Sequence, residues 1–261
     1  KIEEKITSNT KAIVAVSLYG QPANFQEINS IANKFKLPVI EDGAQSFGAT
    51  HHGKRSCGLT TIGTTSFFPS KPLGCYGDGG ACFTNDSELA EQMRKISLHG
   101  QSKRYFHTEI GINGRLDTIQ AAILLAKLHL FETEVKERNR IGSYYTNQFE
   151  KLGVQGTPKI RSHNTSVYGQ YTMLVENRSA LQNRLLEFGI PTAVHYPEIL
   201  PNQPATFKDN ESLALRTNSS NEKTFTVALK CSQRVLSLPI YPCISKDKLD
   251  HIISKFSSLL V

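Results

Sequence analysis

The sequence predicts an α/β protein built on a parallel sheet, on two observations. First, two apolar, β-branched runs of strand length, residues 11–18 (KAIVAVSL) and the LPVIED stretch ending at Asp42, flank a segment of helical periodicity. Strand, helix and strand in such close succession make a right-handed βαβ unit whose strands run parallel. Second, a long helical pattern starts near Leu116, and beyond it the order of strands and helices changes. A large domain over 1–130 and a smaller C-terminal α/β domain over 131–261 are therefore expected.

In order along the chain, residues 11–18 give the first strand and Tyr19-Gly20-Gln21-Pro22 a turn. Asn24 is placed to cap a helix on which Ile28, Ile31, Ala32 and Phe35 recur at helical spacing. The second strand ends at Asp42, at the kind of carboxyl strand end where open α/β sheets collect their ligands. Residues 48–62 read as a glycine-rich, basic loop, followed by a strand around Thr65 and a short one over 81–84. Asn85, Asp86 and Ser87 cap a helix over 88–98, and 99–114 reads as loop ending in the pattern GINGR. From Leu116 the helix towards Leu152 carries Ile119, Ile123, Ala126 and Leu130 on one face. Beyond Gly153, strands are expected over 171–175, 192–196 and VLSLPIYP, and helices over 180–187, 225–233 and 246–260. Residues 200–224 are polar and aperiodic.

The stretch 64–80, TTSFFPSKPLGCYGDGG, is centred on Lys71. Thr64, Thr65 and the two phenylalanines favour extended backbone, Pro69 ends any helical reading, and Gly74, Gly77, Gly79 and Gly80 turn the chain tightly. The lysine thus sits where a strand gives out. Either it is a solvated loop lysine, or it is an amine desolvated enough to form a Schiff base with a carbonyl cofactor. Local sequence leaves both readings open.

Composition narrows the class. The 261 residues can bury a substantial core, and 39% hydrophobic with 20% charged residues is ordinary for a globular protein. The net charge of +7 is spread along the chain; its densest group, His99 to Arg115, is interleaved with glycines and aromatics and reads as an anion site or solvated surface, not a nucleic-acid surface. Five cysteines without a C-x-x-C pair indicate neither a zinc site nor a disulfide scaffold, so no metal is expected. The polar start and the lack of a long apolar run lead to the expectation of a soluble, cytoplasmic protein without a membrane partner.

Five stretches, VIEDGAQSFGA, SFFPSKPLGCYGDGG, GINGRLDTIQAAIL, the YGQYT around Tyr171 and SLPIYP, together resemble the pyridoxal-phosphate-dependent nucleotide-sugar aminotransferases of the DegT/StrS type, over nearly the whole chain. The resemblance implies fold type I of the pyridoxal-phosphate-dependent transferases, with an N-terminally incomplete large domain. It implies transamination of a keto nucleotide sugar, with pyridoxal 5'-phosphate as cofactor and glutamate as amino donor, for cell-surface polysaccharide such as O-antigen.

By the same resemblance Lys71 binds the cofactor covalently and shuttles the substrate proton, work that needs its pKa brought down. Asp42 partners the pyridinium nitrogen and so keeps the ring an electron sink. Gln45 lies against the ring and its phenolic oxygen. Ser66 bonds the phosphate, and Asn113 reaches it from the neighbouring subunit, which makes a homodimer the working unit. Arg115 offers a bidentate fork to a carboxylate, as in relatives that act on UDP-linked 3-oxo uronic acids. His195 and Tyr196 border the sugar pocket. Read singly, Asp42 is a turn cap, Ser66 a core hydroxyl, Arg115 a helix-start pair and His195 a structural histidine.

Members of this family carry a further N-terminal portion of about a hundred residues before the equivalent of Lys1. That portion supplies the first strands and a helix N-terminus for the phosphate, so part of the cofactor site is expected to be missing. Two other readings stay open. A sugar dehydratase on the same fold would have histidine in place of the lysine, and Lys71 argues against it; a non-catalytic remnant would fold without holding cofactor.

Overall fold

The two apolar runs become β1 (Ile13–Val16) and β2 (Val39–Asp42), which pair in parallel with Val16 beside Asp42. The structure is a computed structural model that describes residues 1–206 and 225–259. Between the strands lies α1 (Phe25–Lys34), whose first turn is closed by Asn24 accepting the Glu27 N–H. The expected loop 48–62 contains a small hairpin, β3 (Thr50–His51) with β4 (Lys54–Arg55), too short and polar to show any alternation in sequence.

β5 (Ile62–Ser66) runs parallel to β2 with Thr64 beside Asp42, and β6 (Gly80–Phe83) returns antiparallel to it. The sheet order is β1-β2-β5-β6. α2 (Ser87–Ser97) follows, capped by Asp86. The expected loop 99–114 also holds a hairpin, β7 (Gln101–Lys103) with β8 (Phe106–His107). α3 (Thr118–Lys151) is the long helix.

Alternation along the strands gives the sheet two unlike faces. Ile13, Ala15 and Val39 point to one face and pack with Phe25, Ala32 and Ile28 of α1. On the same side Ala81 meets Phe67, Leu73 and Cys75 of the 67–75 loop and Leu124 and Phe131 of α3. Burying a side chain such as Phe25 there is worth about 2 kcal/mol. The opposite face carries Val14, Val16, Asp42, Thr64, Ser66 and Cys82, and there Val14 is 63% and Val16 50% exposed.

The packed side of α3 differs from the one its periodicity suggested. Ile119 is 74% and Leu130 61% exposed, and Ala126 is exposed too, while Leu124 and Phe131 are buried with Ile123 and Val135 beside them. The helix has apolar residues on more than one face, so spacing cannot choose between them; the rings of Phe47 and Phe67 make the choice by offering a surface to Phe131 and Leu124.

Two compact units divide the chain: Lys1–Asn139 with Ile160–Gly169, and Arg140–Lys159 with Gln170–Val261. In the second, β9 (Tyr171–Leu174), α4 (Arg178–Glu187), α5 (Thr226–Arg234), β10 (Val235–Leu238) and α6 (Lys246–Ser258) surround a buried aromatic cluster of Tyr145, Phe149, Tyr171 and Phe256. β9 and β10 pair antiparallel. The strand expected over 192–196 is reduced to a single bridge between Ala193 and Ser237, because Pro191 and Pro197 bracket it and cannot donate to a ladder. Of the polar 200–224 segment, residues 207–224 lie outside the described residues, as does Leu260 at the expected end of the last helix. Among the described residues no helix is long and apolar enough to cross a membrane.

Candidate active site

β2 and β5 bring two of the expected residues, Asp42 and Ser66, to one place. Asp42 ends β2 beside Thr64, and Ser66 stands two residues further along β5, on the same open face. Strand spacing and rise put the Asp42 and Ser66 backbones about 8 Å apart. The half-buried Asp42 accepts one hydrogen bond, at Oδ1 from the Ala44 N–H at 3.0 Å. Gly43 carries the ladder one step further by donating to the Thr64 carbonyl, and a side chain at 43 would meet the Cys57 sulfur at 2.4 Å, so the turn after Asp42 accepts only glycine without rearrangement. Gln45 is buried, its Oε1 accepting the Tyr19 N–H at 2.6 Å.

Lys71 follows Ser66 in a loop fixed at both ends. The Phe67 N–H donates to Gly79, the Cys75 N–H to Phe67 and the Lys71 N–H to Phe68, while Leu73 and Cys75 are buried beneath. The Ser66 hydroxyl accepts the Phe68 N–H at 3.2 Å. The Lys71 side chain is half-buried, and among the described residues no hydrogen bond or ion pair engages its ammonium. A free amine is thus held at the end of a strand pair.

Two supports of this loop had no signal in the sequence. Gln120 of α3 accepts the Tyr76 N–H through Oε1 at 2.8 Å, and Lys127 of α3 donates to the Gly74 carbonyl. On a helix, polar residues at such spacing read as a solvated face. Here they pin the glycine turn that carries the amine, and Leu116 leaves Gly79 no room for a side chain, with 2.9 Å to a would-be Cβ.

Asn113 and Arg115 lie in the exposed segment before α3. Ile112 and Gly114 bond the carbonyls of Ile96 and Ser97, and Asn113 bridges Leu98. Arg115 Nη1 donates to His99 Nε2 at 3.1 Å, and His107 Nδ1 donates to the His99 carbonyl at 2.7 Å. His195 and Tyr196 belong to the second unit, where His195 Nδ1 bonds the Ser237 hydroxyl at 2.8 Å and the two rings meet edge-on. A cleft of about 920 Å³ lies over the β5–β6 edge and α2, lined by Thr64, Cys82, Met93 and Arg94 among others; Asp42, Gln45 and Lys71 are not in its wall.

Directly behind the site, Glu41 is fully buried. It accepts the Ser56 hydroxyl at Oε1, 2.6 Å, and among the described residues its Oε2 has no partner. Burial therefore holds its carboxyl above the ordinary carboxylate range, only partly offset by the Ser56 bond. Burial also pushes the neighbouring Cys57 thiol up to about 12, so it is an inert packing group and not a nucleophile.

The sequence profile of the DegT/DnrJ/EryC1/StrS aminotransferase family matches residues 1–257. The chain is 52% identical over 241 residues to a UDP-2-acetamido-2-deoxy-3-oxo-D-glucuronate aminotransferase of Pseudomonas aeruginosa, covering 92% of this chain and 64% of that protein. Among solved structures it is similar to a DegT DnrJ EryC1 StrS aminotransferase from Brucella abortus, with TM-score 0.84 and 38% identity over 96% of this chain and 64% of the other. It is also similar to S. venezuelae DesV in complex with a ketimine intermediate, with TM-score 0.87 and 31% identity over 99% of this chain and 67% of that one. The architecture is fold type I of the pyridoxal-phosphate-dependent transferases.

Proposed function

The chain belongs to the DegT/DnrJ/EryC1/StrS aminotransferase family, and from that premise we propose that it moves an amino group from glutamate to a keto nucleotide sugar, a UDP-linked 3-oxo uronic acid, using pyridoxal 5'-phosphate. The observation that carries the reading is the register that sets Asp42 and Ser66 on one open sheet face, with an unpartnered amine at Lys71 just beyond.

These residues fit such a cofactor. Asp42 has a carboxylate oxygen to spare for a ring nitrogen, Ser66, its backbone about 8 Å from that of Asp42, offers a hydroxyl for a phosphate, and Lys71 an amine for an aldehyde. When bound, pyridoxal phosphate supplies an electron sink that stabilises negative charge on the substrate carbon. The chain's own part is to hold and to move protons. Asp42 keeps the ring nitrogen charged, Gln45 borders the ring, and Lys71 takes the proton from one substrate carbon and returns it elsewhere. Gln120 and Lys127 keep that amine in place by fixing the loop beneath it.

Arg115 is assigned to the sugar carboxylate, for which its planar fork is suited, and His195 and Tyr196 to the sugar pocket. The relative that shares 52% identity bears a name specifying a 3-oxo-glucuronate, which supports that substrate class. A homodimer is proposed as the working unit, with Asn113 serving the partner's phosphate. The segment bearing Asn113 exposes Ile110 and Ile112, and α3 exposes Leu125 and Leu130, which a second copy would cover.

The test is chemical. Pyridoxal 5'-phosphate is added to the protein, the adduct is reduced with borohydride, and the labelled peptide is mapped. Label on Lys71 is expected. Label confined to other lysines, or none, contradicts the reading.

A further inference from the structure

Away from the strand-end group, three histidines that no part of the proposed chemistry uses converge in the first unit. His51 ends β3, His52 follows it, and His163 arrives from the returning segment 160–169. One imidazole nitrogen from each lies within 4.8 Å of the others. The rings of His52 and His163 stack at 4.5 Å between centroids, and His51 meets both edge-on.

The hydrogen bonds fix where the lone pairs are. Asn164 spends its amide N–H groups on the Gln21 side-chain oxygen at 3.1 Å and the Pro22 carbonyl at 2.9 Å, so its Oδ1 is left as acceptor. His51 Nδ1 stands 2.7 Å from that oxygen and must donate to it. His51 Nε2 therefore carries the lone pair, and among the described residues it accepts one long hydrogen bond, 3.4 Å from the Gln26 N–H, which a metal ion would displace. A histidine oriented by a side-chain carbonyl through its other nitrogen is the arrangement that prepares an imidazole to ligate. His163 Nε2 is buried and, among the described residues, has no hydrogen-bond partner. A buried ring nitrogen without a partner is costly, and a metal ion that took its lone pair would remove that cost.

We propose that His51, His52 and His163 form a binding site for one borderline divalent transition-metal ion, of which Zn²⁺ is the type, with water completing the coordination. Three neutral imidazoles without thiolate or carboxylate suit Zn²⁺, Co²⁺, Ni²⁺ or Cu²⁺ and are poor ligands for Mg²⁺ or Ca²⁺. Space for an exogenous ligand exists, since His51 and His52 line a pocket of about 420 Å³ with Gln26, Asn29 and Lys54. Lys54 and Arg161 oppose a cation here and Glu27 favours it.

The ion's role would be to staple the 160–169 segment to the β3–β4 hairpin. That junction already has the His52 N–H on the His163 carbonyl at 2.7 Å and the Thr165 N–H on the Thr50 carbonyl at 2.9 Å. A metal would add a link between residues far apart in sequence, where closing the chain is most costly in entropy.

The experiment is a titration of tag-free, chelator-stripped protein with Co²⁺, followed through the visible absorption of tetrahedral cobalt, with Zn²⁺ as competitor. Binding of one ion per chain is expected. The His52→Asn variant removes an exposed ring, and asparagine tolerates the left-handed backbone found at this position, where φ is 47°. It should weaken binding about 100-fold, and Asn164→Ala about 10- to 100-fold, with the far-ultraviolet circular dichroism unchanged. No cobalt spectrum with the parent protein, or an unchanged affinity in His52→Asn, overturns the proposal. Both outcomes are independent of whether Lys71 takes a cofactor.

Discussion

The two faces of the four-stranded sheet use the same strands for opposite purposes. On one, Val39 is buried under α1 and Gly63 and Thr65 are buried beside it, and packing leaves no freedom: a side chain at Gly63 would stand 2.1 Å from the Cys57 carbonyl. On the other, one residue out of step, Val16, Asp42, Thr64 and Ser66 remain exposed or half-buried and carry the candidate chemistry. Period-two alternation thus separates stability from function within single strands, and a change at neighbouring positions should have unlike effects.

The largest effect expected belongs to the open side. Lys71→Ala should lower transaminase turnover by about 10⁴-fold or more while the thermal unfolding midpoint stays within error. Loss of folding in that variant would break the separation. The reverse case is Gly63→Ala, which meets backbone and should cost about 3 kcal/mol in urea denaturation; Val16→Thr, on the open face, should stay within about 0.5 kcal/mol. Equal costs at the two positions would erase the distinction between the faces.

Asp42→Asn should lower turnover by about 10²-fold with an unaltered urea midpoint, since it removes the anion proposed for the ring nitrogen and keeps the Asx-type acceptor for Ala44. The smallest effect lies with Glu41, one residue away on the buried face. Its carboxyl binds a proton more tightly in the folded than in the unfolded state. The stability linked to that proton is complete below the ordinary value of 4.5 and is lost as pH rises towards the higher folded value. Glu41→Gln should therefore gain stability over the parent as pH rises above that point, and urea midpoints measured on both sides of it should diverge in that direction.

Much of this was legible in sequence wherever a residue's neighbours are close along the chain. β1 and β2 showed themselves as continuous apolar runs, and Asp42, Ser66 and Lys71 stood out through the family resemblance together with their strand-end positions. What periodicity could not supply was the choice among partners distant in sequence. It set Ile119 and Leu130 inward on α3, whereas Phe47 and Phe67 recruit Leu124 and Phe131. It gave no hint that Gln120 and Lys127 reach the glycine turn, or that residues 160–169 return to the first unit with His163. Counting cysteines likewise passed over three histidines whose meeting depends on that return. The strand expected over 192–196 failed for a reason visible in its flanking prolines.

The most direct measurement is a crystal structure of the protein soaked with pyridoxal 5'-phosphate. The ring is expected on the open sheet face, its nitrogen at Asp42, its phosphate at Ser66 and its aldehyde carbon joined to Lys71 Nζ. A ring bound elsewhere, or bound with Asp42 and Lys71 on no common ligand, would contradict it.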